Sequence, residues 1–547
     1  MNTRFGGRRR KVVAALFAFG LLAAACGDSG TKKADSGSTG TSGTGTGTGA
    51  TSATTTAAPA TPVAGGTATI QLFSEIATLD PVKSTGSGGS DGQRMFALYG
   101  ALLAYDGSTQ KIDYILASSL KATSADFKSW QLTLKPNLKF SDGSVFDAEA
   151  VKANWARTQD AANGSPSRGV SAFITALTVS SPTTLDITLA VANAHFELAV
   201  ERVGLNYIAS KKAIDDKTDL TQKAIGGGPF TLDEWVRDSK MTMSKNPTFG
   251  GGPVYLDKLV FQVQGNEQQR VDSFGTGATD AFYTSVPGSL QAALKGTKDS
   301  YQTKSDVTTG QTFVLNNTKA PFDDLRIRQA VIMAIPRDVL AKDILNNSVP
   351  SVYFSVPGTP WHSEGSKLPT YDVAGAQKLI DSYVADHGGQ PVTFTMLAFQ
   401  QTLDQDRAKF IVSQLGQLKN LKVDFVVNDS ATNIGKVLKG DYQWSSWGFP
   451  TLEPEPGLYN QAKTKSGFNY SGYSNPDVDK WLDEARASTD NTVRYADYKK
   501  VFDQLAKDLP YFPYIVTQNS FVCSPKLLGC TLYDDGIMRF DKLSKKA

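Results

Sequence analysis

Between Gly27 and about Gly65 nearly every residue is Gly, Thr, Ser or Ala, including the alternation Gly43-Thr44-Gly45-Thr46-Gly47-Thr48-Gly49. Such a stretch cannot bury enough apolar surface to order itself, so it confines the fold to the residues after it and sets the first 25 apart as a leader. With about 38 residues it is expected to be a tether with a root-mean-square span of roughly 35 Å. The remaining chain is too long for one hydrophobic core. At roughly 150 residues per domain it divides into about three lobes with clefts between them.

The leader carries Arg4, Arg8, Arg9, Arg10 and Lys11, then an unbroken apolar stretch from Val12 to Ala25. That length suits a secretory signal and is short for a transmembrane helix, so cleavage is expected. Leu21-Leu22-Ala23-Ala24-Ala25-Cys26-Gly27 resembles a bacterial lipoprotein signal, with Cys26 accepting diacylglycerol. Leu22 stands four residues before Cys26, where three is commoner. Arg9-Arg10 leaves the twin-arginine export route open beside the general one. No later segment holds a run of about 18 uncharged apolar residues. The lipid alone is therefore expected to hold the protein, at the outer face of the cell membrane.

The formal charge of +3 includes the five basic leader residues, and the chain beyond them carries −2. A nearly neutral chain without basic runs lacks the electrostatic footprint of a nucleic-acid binder. Beyond Cys26 only Cys523 and Cys530 remain, a pair able to form a local disulfide in an oxidising compartment or to stay as two thiols.

From Gly65 onward, short alternating strands are separated by turns from longer helical stretches, which indicates an α/β protein. Residues 68–73 and 131–135 have the strand period of two. Val478, Trp481, Leu482 and Ala485 fall at helical spacing behind Asn475-Pro476, a cap followed by proline at the first helical position. Ile411, Val412, Leu415 and Leu418 share that spacing, as do Ile327, Val331, Ala334 and Ile335, and all are expected in cores. Asp142-Gly143 supplies a turn, and Asp147 is placed to cap a helix from about Ala148.

Several fragments resemble, in order and spacing, the peptide and nickel importer solute-binding proteins, family 5 of the bacterial extracellular solute-binding proteins. They begin with Gly65-Gly66-Thr67-Ala68-Thr69-Ile70 and Thr78-Leu79-Asp80-Pro81, followed by Leu98 to Leu103 and Trp130 to Leu134. Phe140-Ser141-Asp142-Gly143 then leads into Phe146 to Val151. Gly227-Gly228-Pro229-Phe230, Glu234-Trp235, Asn316-Asn317, Ala320 to Asp324, Arg326 to Ala330 and Pro510-Tyr511-Phe512-Pro513 follow. Pro229, Arg326 and Arg328 are expected to serve packing and ion pairs rather than a ligand.

The resemblance implies a periplasmic-binding-protein-like fold of two hinged lobes plus an extra lobe. Lobe I would use 65–92, 206–308 and 509–547, the extra lobe II 93–205, and lobe III 309–508, after a signal peptide of 1–25 and a lipidated tether of 26–64. The implied function is the substrate-binding subunit of an ABC importer, taking a peptide or similar solute and passing it to permease and ATPase partners. Such a monomer closes about its ligand and needs no nucleophile, cofactor or metal.

Two ligand-binding candidates stand out. Tyr442 to Pro450 is an aromatic passage in which Trp444, Trp447, Gly448 and Phe449 offer ring faces and open backbone, or fill a core instead. Ser84 to Gly92, with Ser87 and Gly88, offers backbone groups to a ligand or is a plain surface loop. Peptide-binding relatives usually place an aspartate in the aromatic passage to meet the ligand's ammonium group. Here the nearest acids are Asp441 before it and Glu453 and Glu455 after it. That departure leaves a nonpeptide solute as an alternative. His195, His362 and His387 form no ligand-spaced cluster, which disfavours a free metal ion. The chain holds no His-Glu-x-x-His, no Gly-x-x-x-x-Gly-Lys-Ser/Thr loop and no Cys-x-x-Cys, which leaves a lipid-anchored hydrolase unsupported, and a surface sensor of the same fold stays open.

Overall fold

The computed structural model describes residues 62–546 apart from 87, 107–108, 110 and 449–452, with the backbone alone at 305–309 and 430–431. The leader, Cys26, most of the tether, Ser87 and Phe449 lie outside the described residues. Two long antiparallel strands, Tyr301–Leu315 and Tyr511–Cys523, organise the rest. Strands usually run 5 to 6 residues; one of 15 reaches about 50 Å and can therefore serve two cores.

Both strands lie in the middle of an 11-stranded sheet. On one side follow Trp444–Gly448, Val392–Phe399 and Leu421–Asn428. On the other follow Ala281–Thr284, Thr67–Leu72, Lys258–Val263, Lys240–Lys245 and Phe230–Val236. The short strand Val349–Pro350 pairs with Val516 and Ile515.

The sheet is continuous, but the hydrophobic interior is not. A first core gathers residues from Ala68 to Tyr283 and from Phe521 to Leu543, and a second gathers Phe313 to Ile515. Each long strand contributes to both. Tyr301 packs on the first core while Phe313, Val314 and Leu315 belong to the second. Phe521 and Cys523 belong to the first while Tyr511, Phe512, Tyr514 and Ile515 belong to the second. Between them the burial falls: Val516 to Asn519 are half-buried, with fully buried residues on either side. The ladder is irregular over the same stretch, with register shifts between Lys304 and Val307, Thr308 and Gln311, and Gln311 and Thr312. This stretch is a neck joining two halves.

A separate four-stranded antiparallel sheet, ordered Ala117–Ala122, Ser129–Leu134, Thr184–Leu189 and Ile174–Ser181, shares the first core through Leu132, Leu185 and Ile187. Helix Ala148–Gln159 covers it; Asp147 accepts from Ala150 N at 3.0 Å as its cap, and Gly143 takes φ +81° in the preceding turn. Asn475 likewise caps Pro476–Ala487, with Pro476 at the first helical position. Arg326 pairs with Asp324 and Asp386, and Arg328 donates to the carbonyls of Asp508 and Phe322, so both hold helix ends in place. Cys523 and Cys530 form a disulfide with Cα atoms 6.8 Å apart. Among the described residues no helix is long and apolar enough to cross a membrane.

Candidate functional site

The aromatic passage meets the neck directly. Trp444–Gly448 pairs with Tyr301–Leu315 so that Trp447 lies opposite Thr312 and Gly448 opposite Gln311, where the long strands change register. The two tryptophans part company here. Trp444 is fully buried, with its ring 5.1 Å from Phe313, 5.8 Å from Phe394 and 5.9 Å from Phe322. Its expected place against a ligand is therefore corrected: it belongs to the second core, because strand neighbours three apart face opposite sides. Trp447 is half-buried and meets Tyr470 edge to face at 5.0 Å, and Gly448 is exposed.

Beneath the passage lies a buried polar hub that the sequence reading missed. Arg407, on helix Thr402–Leu415, pairs with Asp404 and donates to Ser446 Oγ at 2.7 Å, Gln311 Oε1 at 3.0 Å and the Tyr514 hydroxyl. Tyr514 donates to the same Gln311 oxygen at 2.7 Å. One guanidinium thus ties the passage strand to both long strands at the neck. Burial pulls the Arg407 pKa down from its usual value, and its cation also stands over the Phe313 and Tyr514 rings. Every side chain in the hub is satisfied by another, which makes it a positioning device.

The Gly/Ser-rich loop sits on the first half and is held by internal bonds. Ser84 is buried and accepts from Gly86 N; Ser84 and Thr85 both donate to Asp91, whose pKa burial raises. Gly88 takes φ +80° with open space around it, and Gly89 lies against the Tyr283 ring so closely that a Cβ would fall 2.3 Å from it. Tyr283 donates to Asn519 Oδ1 at 2.6 Å, in the half-buried stretch of the neck. Phe73, 40% exposed, packs on Tyr283 at 5.4 Å. Phe73, Tyr283 and Asn519 were not foreseen as site residues. The signal was there for Phe73: Ala68, Ile70 and Leu72 are in phase and buried, and Phe73 is a large aromatic out of phase with them.

The acids flanking the passage are already occupied. Glu453 forms a bidentate pair with Arg494, and Glu455 lies 3.2 Å from Arg486 Nε and accepts from Asn193 at 3.3 Å. Burial raises the Glu455 pKa and pushes Glu197 up to about 7, while it lowers His195 to about 4. Asp441 is exposed beside Lys436 at 3.5 Å. His195 donates to the Ser488 carbonyl, His362 meets Ser355 and Glu364, and His387 meets the Tyr383 carbonyl, so the three imidazoles serve separate places.

Two surface concavities lie on the second half. One of about 450 Å³ is lined by Asp343, Ile344, Asp406, Lys409 and Phe410. The other, about 360 Å³, includes Tyr442 and Gln443 from the start of the passage but neither tryptophan. The convergence of the loop, the passage and the half-buried centre of Tyr511–Cys523 makes the neck the better candidate site.

Residues 111–470 match the model of the middle part of bacterial extracellular solute-binding proteins, family 5. The chain is 26% identical over 455 residues to the probable D,D-dipeptide-binding periplasmic protein DdpA of Escherichia coli K12, covering 79% of this chain and 85% of that one. Among solved structures it is similar to the periplasmic binding protein DppA of Helicobacter pylori in complex with peptide STSA, with TM-score 0.77 and 23% identity over 89% of this chain and 99% of that one. It is also similar to AgaA of A. tumefaciens R10 in complex with agropinic acid, with TM-score 0.76 and 21% identity over 88% and 99%. The fold is thus the α/β, periplasmic-binding-protein-like type with two main lobes and an extra one. A long sheet shared by two cores, a neck bearing the aromatic passage and a family match over most of the chain lead to one conclusion: the protein belongs to the bacterial extracellular solute-binding proteins, family 5.

Proposed function

We propose that this chain is the substrate-binding lipoprotein of an ABC importer, held to the outer face of the cell membrane through Cys26. It captures a peptide or similar small organic solute between its halves and delivers it to the permease. The observation that carries this reading is the neck. Two long strands run through both cores, and where they pass between them the burial of Tyr511–Cys523 and the register of the pair both lapse, so the halves can turn against each other there.

In this reading Trp447, Gly448 and Phe449 meet the ligand from the second half, and Gly88, Ser87, Phe73 and Tyr283 from the first. The lobes follow the division 65–92, 93–205, 206–308, 309–508 and 509–547. The protein acts as a monomer, without cofactor or catalysis. Mass spectrometry of material released by mild denaturation from the purified protein tests it. Recovery of peptides, unaltered after incubation, is expected; covalent change of the bound material would overturn the binding role.

A nonpeptide solute is the second reading, favoured by one observation. Glu453 and Glu455 are each neutralised by an arginine, so neither is free to receive a ligand ammonium group. Release of a nonpeptide organic molecule decides for it.

A further inference from the structure

The two halves meet a second time, far in sequence from the neck. Ala194 N donates to the Arg486 carbonyl at 2.9 Å, Asn193 Nδ2 to Glu455, and His195 Nε2 to the Ser488 carbonyl at 2.9 Å. Aromatic rings are exchanged across the same boundary. Phe173, beside the four-stranded sheet of the extra lobe, packs on the second core against Tyr459 at 6.1 Å and beneath Arg486 at 4.8 Å. In return Phe468, from the second half, packs on the first core over Gly169, where a Cβ would fall 2.5 Å from its ring.

If the halves turn about the neck, all of these contacts must part together. The polar ones separate cheaply, because Glu455 and Arg486 stay paired within the second half and regain water. The rings lose apolar cover, which favours the closed form.

We propose that the extra lobe works as a latch: Phe173 and Asn193 to His195 clasp Phe468, Glu455 and Arg486, and so set how readily the halves open. This rests on the reading of two hinged halves given above. Closed-form stability gained here adds to ligand retention without any contact with the ligand, since apparent affinity scales with the population of the closed state.

Hydrogen–deuterium exchange on the full chain in detergent reads the latch directly, because the Ala194 amide is itself one of its bonds. Phe468→Ala is expected to speed exchange in segments 190–198 and 483–490 by at least about tenfold, with strand 129–134 unchanged. Gly169→Ala, a substitution a helix tolerates, is expected to do the same by displacing the Phe468 ring. In the Phe468→Ala background it should add nothing, since the ring it displaces is gone. Unchanged exchange in either single variant, or faster exchange spread over the whole extra lobe, overturns the latch, as does an added effect of Gly169→Ala without the ring. The capture reading is scored separately by the bound material. Solute recovered with unchanged exchange removes the latch alone, and altered exchange without solute removes capture alone.

Discussion

Gly310 lies so close to Thr517 on the partner strand that a Cβ in place of its hydrogen would fall 2.1 Å from the threonine hydroxyl oxygen. Its φ of +54° is also left-handed, and it sits between the register shifts of the neck. Alanine there meets backbone strain of about 1 kcal/mol and crowding of about 1 to 3 kcal/mol. Gly310→Ala is expected to cost about 2 to 4 kcal/mol, read by calorimetric unfolding. Gly435→Ala, in helix Ser430–Leu438 with nothing within 4 Å, is the control and should be neutral or stabilising.

The two tryptophans of the passage should behave differently. Trp444→Ala empties a fully buried site and is expected to destabilise the second half by about 3 to 5 kcal/mol. Trp447→Ala should leave the melting temperature of the empty protein nearly unchanged and weaken retention of the bound solute. A large melting drop for Trp447→Ala with unaltered retention would move that residue into the core as well.

Arg407 and Asp404 form a buried pair, and removing one charge strands the other. Arg407→Met is expected to cost about 3 to 5 kcal/mol in chemical denaturation. Asp404→Asn in the same chain should recover part of that loss, since an amide oxygen can still accept from Phe399 N.

Glu197 and His195 pull stability in opposite directions over nearly the same pH range. Glu197 is raised from 4.5 to about 7, so the folded state holds its proton more tightly than the unfolded state does. Its contribution is therefore present below pH 4.5 and is lost as pH climbs through 7. His195 is depressed from 6.5 to about 4, so its contribution is present above pH 6.5 and is lost as pH falls through 4. Glu197→Gln is expected to remove a decline of up to about 3 kcal/mol spread between pH 4.5 and 7, so that stability rises with pH from 4 to 6.5 where the two groups otherwise offset each other, read in melting curves from pH 4 to 8.

Cys26→Ser should move the protein from the membrane fraction to the soluble fraction, with its unfolding curve unchanged. Retention in the membrane would remove the lipid anchor.

Local chemistry was legible where it acts over a few residues. Asp147 and Asn475 cap the helices they precede, because a short acceptor beside the first free N–H groups is a signal complete in itself. The order of family motifs carried the fold. The neck was not legible, since nothing in the local pattern of Tyr301–Leu315 states that its two ends are buried in different cores. The site was half legible. The passage was singled out, yet strand geometry splits Trp444 from Trp447, and the alternation that does so is a property of strands alone. Tyr283, Asn519 and Arg407 reach the neck from distant positions, which only the tertiary fold brings together.

The chain enters the second half on one long strand and leaves it on the immediate neighbour, with Val314 paired to Tyr511. That half is therefore an insert whose two ends stand one strand spacing apart, about 5 Å. A cassette with adjacent ends can be exchanged with the equivalent piece of a relative that keeps the Phe468 and Glu455 contacts to the extra lobe. Recognition chemistry built on it can diversify while the scaffold that carries it stays constant.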